Sequence, residues 1–355
     1  MSERARVDEV LTSLLELCQP LEPFDMPLLD AHDATLAEDV YAGERLVMKA
    51  GSRIRSTQIG LAASIGLDHL PTRPHPRVVV ISAGPDLVEP GVPLKSDEEY
   101  ETNSWLLTTA VREVGAVAYR VHSIPDDEAQ LQSVIEDQLV RADLIIISGE
   151  RHDDSFDLIT RTLTKMGEIK TVEIAIESSG RHNFGTIGPD KTPVVTLPGD
   201  PIAAYISFEL LIRPMIRTML GTATIHRPSV KAKLEKALSS SGGMRSYVRA
   251  ILSEDGKSVV PLSSQDEQAT LSDANCFIAV PEGARELRQA RRAADPRARS
   301  RPAHRAARTQ GPRRGAGAAL CRRHRIDLPA SPHDIAERSM LLDAAPWTEG
   351  QPVID

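Results

Sequence analysis

Two unbroken runs of branched aliphatic residues constrain this chain more than any other feature. Arg77-Val-Val-Val-Ile-Ser82 and Asp143-Leu-Ile-Ile-Ile-Ser-Gly149 show no polar alternation. Both faces of such a strand must be covered, which is the pattern of interior strands in a parallel α/β sheet. Each run breaks into a glycine-bearing loop, Ser82-Ala-Gly84-Pro-Asp86 in one case and Ser148-Gly149-Glu-Arg-His-Asp in the other. Around them the apolar spacing turns helical. Thr102-Asn-Ser104 offers a cap ahead of Leu106, Leu107, Ala110, Val111 and Val114, and Pro125-Asp-Asp-Glu128 opens a helix with the stripe Leu131, Val134, Ile135 and Leu139. Further strands are predicted over 117–121, 171–176 and 193–197, with helices over 156–166 and from Pro201. Strands alternating with helices predict an α/β fold with a parallel, three-layer central unit.

The rest of the chain divides around that unit. Val7, Val10, Leu11, Leu14, Leu15 and Cys18 recur at helical spacing and open an N-terminal helical and linker segment, residues 1–70, with a short strand and helical turn over 28–40 and a helix over 57–65. The α/β unit is assigned to 71–225. Short strand-like runs over 230–234, 245–252, 258–262 and 276–280 predict a small β domain over 226–283. Beyond it, residues 284–355 are predicted to be disordered, with one short helix over 334–342. Fourteen arginines, no lysine and only Glu286 and Asp295 as acids fall between Arg285 and Arg325, in a chain whose formal charge is −8. The missing lysine favours an altered reading frame after Glu282 over a basic arm for nucleic acid or an acidic membrane. Aromatics are only 3% of the 355 residues, which argues against stacking grooves for nucleic acid. No stretch reaches the roughly 20 apolar residues of a membrane span. The N-terminus shows no apolar signal region, and Cys18, Cys276 and Cys321 form no CxxC pair, so a cytoplasmic protein without a disulfide framework or thiolate zinc site is expected.

Ligands of open α/β sheets bind where strands end and helices begin. Three loops qualify. In Ser82–Asp86 the glycine permits a tight turn with amides toward an anion and Asp86 toward a cation; an ordinary strand exit reads the same. In the loop after Ser148, Ser148 and Gly149 could donate to a phosphate while Asp153, Asp154 and Asp157 could hold magnesium; a solvated charged loop, with His152 exposed, is the alternative. In Thr196-Leu-Pro-Gly-Asp-Pro201, Asp200 can cap a helix begun by Pro201, and the same helix start could receive an anion.

Taken in order, these segments resemble the molybdopterin molybdenumtransferase family of MoeA/gephyrin type. Leu197-Pro-Gly-Asp-Pro-Ile-Ala-Ala is similar to the family's LPGNPVSA-like segment; Leu36-Ala-Glu-Asp-Val, Lys49-Ala-Gly-Ser-Arg-Ile, residues 78–89, Glu101-Thr-Asn103, Phe184-Gly185 and residues 275–283 extend the likeness over most of 6–283. The resemblance implies insertion of molybdate into adenylylated molybdopterin, assisted by magnesium, in a homodimer. It places Asp86, Glu101 and Asp157 as catalytic and metal-binding residues, and Ser82, Gly84, Asn103, Ser148, Gly149, Pro198, Gly199 and Asp200 as cofactor-binding ones. The departures are as specific. Ala83 and Pro85 replace a threonine and an acid, Glu150 replaces a loop glycine, both lysines of a KPGKP-like segment are lost at Glu177-Ser-Ser-Gly-Arg181, and a whole inserted domain is missing near Ala42-Gly43. A catalytically degenerate, gephyrin-like scaffold that binds a partner peptide, in cell division, is the alternative expectation.

Overall fold

The computed structural model describes residues 4–84, 86–121, 127–149, 153–240, 242–263, 267–284 and 286–287. The arginine-rich tract, the helix expected over 334–342 and His152 lie outside the described residues.

The N-terminal part contains α1 (Val7–Leu15), β1 (Phe24–Pro27), β2 (Thr35–Leu36), β3 (Val40–Ala42), β4 (Arg45–Met48), α2 (Ser56–Ser64) and β5 (His69–Arg73). Residues 28–40, expected as a strand and helical turn, instead hold turns and the short β2, which joins β1 and β5 in a three-stranded sheet. That sheet and α2 enclose a separate small core of Leu36, Met48, Ile54, Ala62 and Leu70. By contrast, α1 sends Val7, Val10 and Leu14 into the main core.

The central part runs β6 (Arg77–Ser82), β7 (Leu87–Val88), β8 (Glu99–Tyr100), α3 (Asn103–Val114), β9 (Val117–Arg120), α4 (Glu128–Leu139), β10 (Leu144–Ser148), α5 (Asp153–Met166), β11 (Gly167–Glu173), β12 (Arg181–Ile187), β13 (Thr192–Leu197), α6 (Pro201–Ser207) and α7 (Arg213–Met219). Its sheet has the order β11-β12-β13-β10-β6-β9. Strands β13, β10, β6 and β9 are parallel neighbours. The two strands at the other edge, β12 and β11, run antiparallel and extend the parallel core that the sequence predicts. The aliphatic runs are interior strands. Val78, Val80, Leu144 and Ile146 face α1, α3, α6 and α7, whereas Val79, Ile81, Ile145 and Ile147 face α4 and α5. All eight are fully buried, so the unbroken apolar pattern reflects two covered faces. A π-helical turn, Phe208–Ile212, links α6 to α7 ahead of Pro214, which cannot donate to the carbonyl one turn back. Glu209 on that turn accepts from the buried Arg227 at 2.9 and 3.0 Å.

The C-terminal part comprises β14 (Lys233–Leu234), β15 (Leu238–Ser239), β16 (Ser246–Leu252), β17 (Ser258–Pro261), α8 (Glu267–Asp273), β18 (Cys276–Val280) and β19 (Glu286–Leu287). A four-stranded sheet of order β14-β17-β16-β18 carries its own core. Helix α8 lies between the strand-like runs 258–262 and 276–280, within the part expected to be all β. Phe277 from β18 inserts into the main core, and Arg245 reaches Asp8 at 3.2 Å, which anchors this part to α1.

Two buried features of β12 have measurable consequences. His182 is enclosed beside Ser207 at 3.2 Å and Ser179 at 3.4 Å, and burial pushes its imidazole down from the ordinary 6.5 to about 4. The fold therefore takes neutral His182. Its contribution is complete above about pH 6.5 and is lost as pH falls toward 4, by on the order of 3 kcal/mol. The denaturation midpoint should drop across that window, and His182→Gln should remove that part of the drop. Gly185 faces Ile169 of β11, and a Cβ there would lie 1.9 Å from the Glu168 carbonyl oxygen. Gly185→Ala should cost more than about 2 kcal/mol, read as a lowered urea midpoint, because backbone must move to admit the methyl group.

Candidate functional site

The C-terminal ends of β6, β10 and β13 meet the N-terminus of α3, and two side chains at that terminus join the three loops. Thr102 occupies the cap position of α3 but makes no capping bond; its hydroxyl donates to the Tyr100 carbonyl at 3.1 Å. Glu101 takes over. Its Oε1 accepts from the Ser104 amide at 2.7 Å and from the Ser82 hydroxyl at 2.7 Å. The Ser104 hydroxyl donates to Oε2, and Arg120 Nη2 lies 3.3 Å from the same oxygen. Arg120 also donates from Nε to Ser104 Oγ at 2.6 Å, pairs with Glu89, and stacks its guanidinium 4.2 Å from the centre of the Trp105 ring. Glu101 is 1% exposed, and a carboxylate so buried is tolerated because both oxygens are occupied by donors.

Asn103 forms the second junction. Its Nδ2 donates to Ser148 Oγ at 2.7 Å and to the Gly199 carbonyl at 2.8 Å, with the Pro198 carbonyl at 3.4 Å. Carbonyl oxygens accept only, so these contacts fix which end of the amide faces them. Oδ1 is left buried without a hydrogen-bond partner among the described residues. Ser148 is itself fully buried, and its hydroxyl lies 3.2 Å from the Pro198 carbonyl.

A pocket of about 260 Å³ opens in front of this knot. Of the sequence-predicted site residues, Glu101, Asn103, Gly149 and Gly199 line it. Ser82, Ser148 and Pro198 stand behind it as hydrogen-bonding supports. Gly149 is closely packed, since a Cβ there would meet Ile159 at 3.3 Å and Ser155 at 3.5 Å. Gly84 and Asp86 belong to the adjoining β6 loop; the Asp86 carbonyl accepts from the Glu99 amide at 2.9 Å. Asp200 is turned to its own helix, its Oδ1 accepting from the amides of Ile202 and Ala203 at 3.1 and 2.9 Å. Those amides are thereby filled by a carboxylate of this chain and do not await an anion. Asp157 sits on α5, half exposed, with Arg181 at 3.5 Å. Arg181, the cation displaced from the lysine-bearing segment, also lies over the Phe156 ring.

Among the described residues, the carboxylates that the resemblance assigns to magnesium do not form a ligand group; the side chains of Asp153 and Asp154 lie outside the described residues. Glu101 has no oxygen left for a metal, Asp157 pairs with Arg181, and among the described residues no three His, Cys, Asp or Glu side chains are grouped to hold an ion. The described pocket lining contains two carboxylates, Glu99 and Glu101, and no lysine or arginine. Sequence reasoning missed Arg120 and Gln268. Arg120 shows no local motif and acts nineteen residues from Glu101, while Gln268 reaches the pocket wall from α8 in the C-terminal part.

Residues 79–218 match the family model described as "Probable molybdopterin binding domain", and residues 231–290 match "MoeA C-terminal region (domain IV)". Between them the two span more than half of the chain. Among curated relatives, Molybdopterin molybdenumtransferase 1 of Mycobacterium tuberculosis is 32% identical over 260 residues, covering 71% of this chain and 61% of the relative. Molybdopterin molybdenumtransferase 2 of the same organism is 34% identical over 264 residues, covering 72% and 64%. The chain thus spans somewhat over three fifths of the length of these relatives. In fold it is similar to the molybdopterin biosynthesis MoeA protein of Pyrococcus horikosii, with a TM-score of 0.69 at 20% identity over 81% of this chain and 97% of that one. The two domain matches lie in the family's order along the chain and coincide with the α/β and C-terminal sheets: the chain belongs to the MoeA family.

Proposed function

We propose that the chain acts in molybdenum cofactor biosynthesis, holding a molybdopterin-type pterin in the strand-end pocket. The reaction it serves is the insertion of molybdate into adenylylated molybdopterin with release of AMP. One observation carries this reading. The unpartnered Oδ1 of Asn103 is a buried acceptor at the wall of a small pocket, and a pterin ring offers N–H donors to such an atom. The match to a molybdopterin-binding domain spans the strands and helices that build the pocket, and the names of the Mycobacterium tuberculosis relatives supply the reaction class.

In this proposal Asn103 binds and orients the ring, and Ser148 with the Pro198 and Gly199 carbonyls holds Asn103. Glu101, Ser82, Ser104 and Arg120 are positioning residues that fix the start of α3. Magnesium finds no ligand set among the described residues. The homodimer and a cytoplasmic location complete the proposal. The dimer draws support from the exposed large apolar residues Val92, Leu94, Tyr100 and Trp105.

The carboxylate lining favours a second reading. Glu99 and Glu101 oppose a phosphate-bearing ligand, while an apolar groove of about 330 Å³, lined by Leu106, Ala110, Tyr205 and Leu271, shares Thr102, Pro201 and Gln268 with the pocket. A scaffold that holds a peptide in this groove fits those facts.

Calorimetry separates the two. The proposal expects molybdopterin to bind the full chain, Asn103→Ala to weaken it at least about tenfold through loss of the recognition group, and molybdate to trigger AMP release from the adenylylated form. Unchanged binding in Asn103→Ala removes the pterin assignment. Pterin binding without AMP release leaves the scaffold.

A further inference from the structure

A second cavity lies at the opposite end of α3 from Asn103. Its volume is about 420 Å³, within the range of roughly 300–1,000 Å³ usual for small-molecule sites. The eleven residue steps of α3 from Asn103 to Val114 put it about 16 Å from the strand-end pocket along the helix axis. Its walls come from the N-terminal part, the end of α3 and the end of α7, joined at Gly51. That glycine has φ 78° and packs so closely on the other wall that a Cβ would lie 2.9 Å from the Ala223 amide nitrogen.

The charge of the lining sets this cleft apart. Four arginines, Arg53, Arg55, Arg112 and Arg217, line it from three stretches of chain, against two acidic residues, Asp33 and Glu113. This positive excess sits in a chain of net charge −8. Arg53 is positioned by Asp33 at 3.1 Å, and Asp33 itself adopts φ 69°, in the left-handed region that aspartate enters more readily than most residues. Arg217 is anchored through Nε to the Thr224 carbonyl at 3.0 Å. Arg55 and Arg112 are exposed and make no ion pair with the described residues. His75 donates to the Gly115 carbonyl at 2.6 Å and closes one wall.

We infer that this cleft binds a small polyanion, a metabolite with at least two phosphate or carboxylate groups. A guanidinium presents a planar fork that matches either group with paired hydrogen bonds. Two groups so positioned and two left free to close on a ligand are the arrangement such an anion needs. Part of the strength comes from charge attraction, so binding falls as salt rises.

The test titrates the full chain at low ionic strength with inorganic pyrophosphate and, separately, with citrate. The inference expects saturable binding of at least one probe, weakened at least about tenfold in R55A/R112A and intermediate in Arg112→Lys, which keeps the charge and loses the fork. Lys257→Ala, which removes an exposed cation from the C-terminal part, should leave that affinity unchanged. Pyrophosphate alone would identify phosphorylated ligands, citrate alone polycarboxylates, and both together recognition by charge. Equal affinity in R55A/R112A, an equal loss in Lys257→Ala, or no binding of either probe would overturn it. Arg55 and Arg112 lie on the surface, and an unchanged melting temperature in the double variant confirms that its fold is intact.

Discussion

The buried carboxylate of Glu101 is the contact on which the strand-end architecture depends. A carboxylate at 1% exposure would be costly alone, and here a hydroxyl from the β6 loop, an amide and a hydroxyl from α3, and the guanidinium of Arg120 from β9 surround it. Those partners come from three elements, so satisfying one charge sets the position of all three. Asn103, two residues on, is placed by the same arrangement and carries it to the loops of β10 and β13. The neighbouring Arg120–Trp105 stack and the Glu89 pair hold the guanidinium from the far side.

Electrostatics divides the molecule in a way its net charge does not reveal. The described strand-end lining is acidic and lacks cations, while the cleft beyond the other end of α3 gathers arginines. Among the described residues, positive charge thus gathers at the second place and not at the first. The strand-end pocket offers hydrogen-bonding groups instead, among them the amide of Asn103. The supports of that amide, the Ser148 hydroxyl and the Pro198 and Gly199 carbonyls, are neutral.

The sequence disclosed the core of the fold because its strongest signals are local. Val78–Ile81 and Leu144–Ile147 could only be interior strands, and the stripe Leu107, Ala110, Val111 and Val114 could only be a packed helix face. Strand β12 escaped notice because Arg181-His-Asn-Phe-Gly185 offers no aliphatic run; its polar residues are buried on partners far along the chain, with Asn183 donating to Thr160 at 2.8 Å and accepting from Thr171 at 2.6 Å. At the site, residue type and loop position singled out Glu101, Asn103, Gly149 and Gly199, and these four line the strand-end pocket. Type and position could not tell a carboxylate awaiting a metal from one already saturated, because the saturating groups of Glu101 include Arg120, whose approach is a tertiary fact. Asp200 shows the reverse: capping chemistry, readable in Asp-Pro alone, accounts for its contacts to the amides of α6.

The knot around Asn103 also bears on how the protein acquires its site. Its partners lie 45 and 96 residues away in sequence, across the parallel strands β10 and β13. Closing loops of that length is slow, and parallel strands cannot pair until the intervening helices have folded back. No contiguous fragment shorter than the span from Glu101 to Gly199 can hold the constellation. A growing chain thus closes this knot only after β13 has joined the sheet, and Gln268 of α8 completes the pocket wall later still.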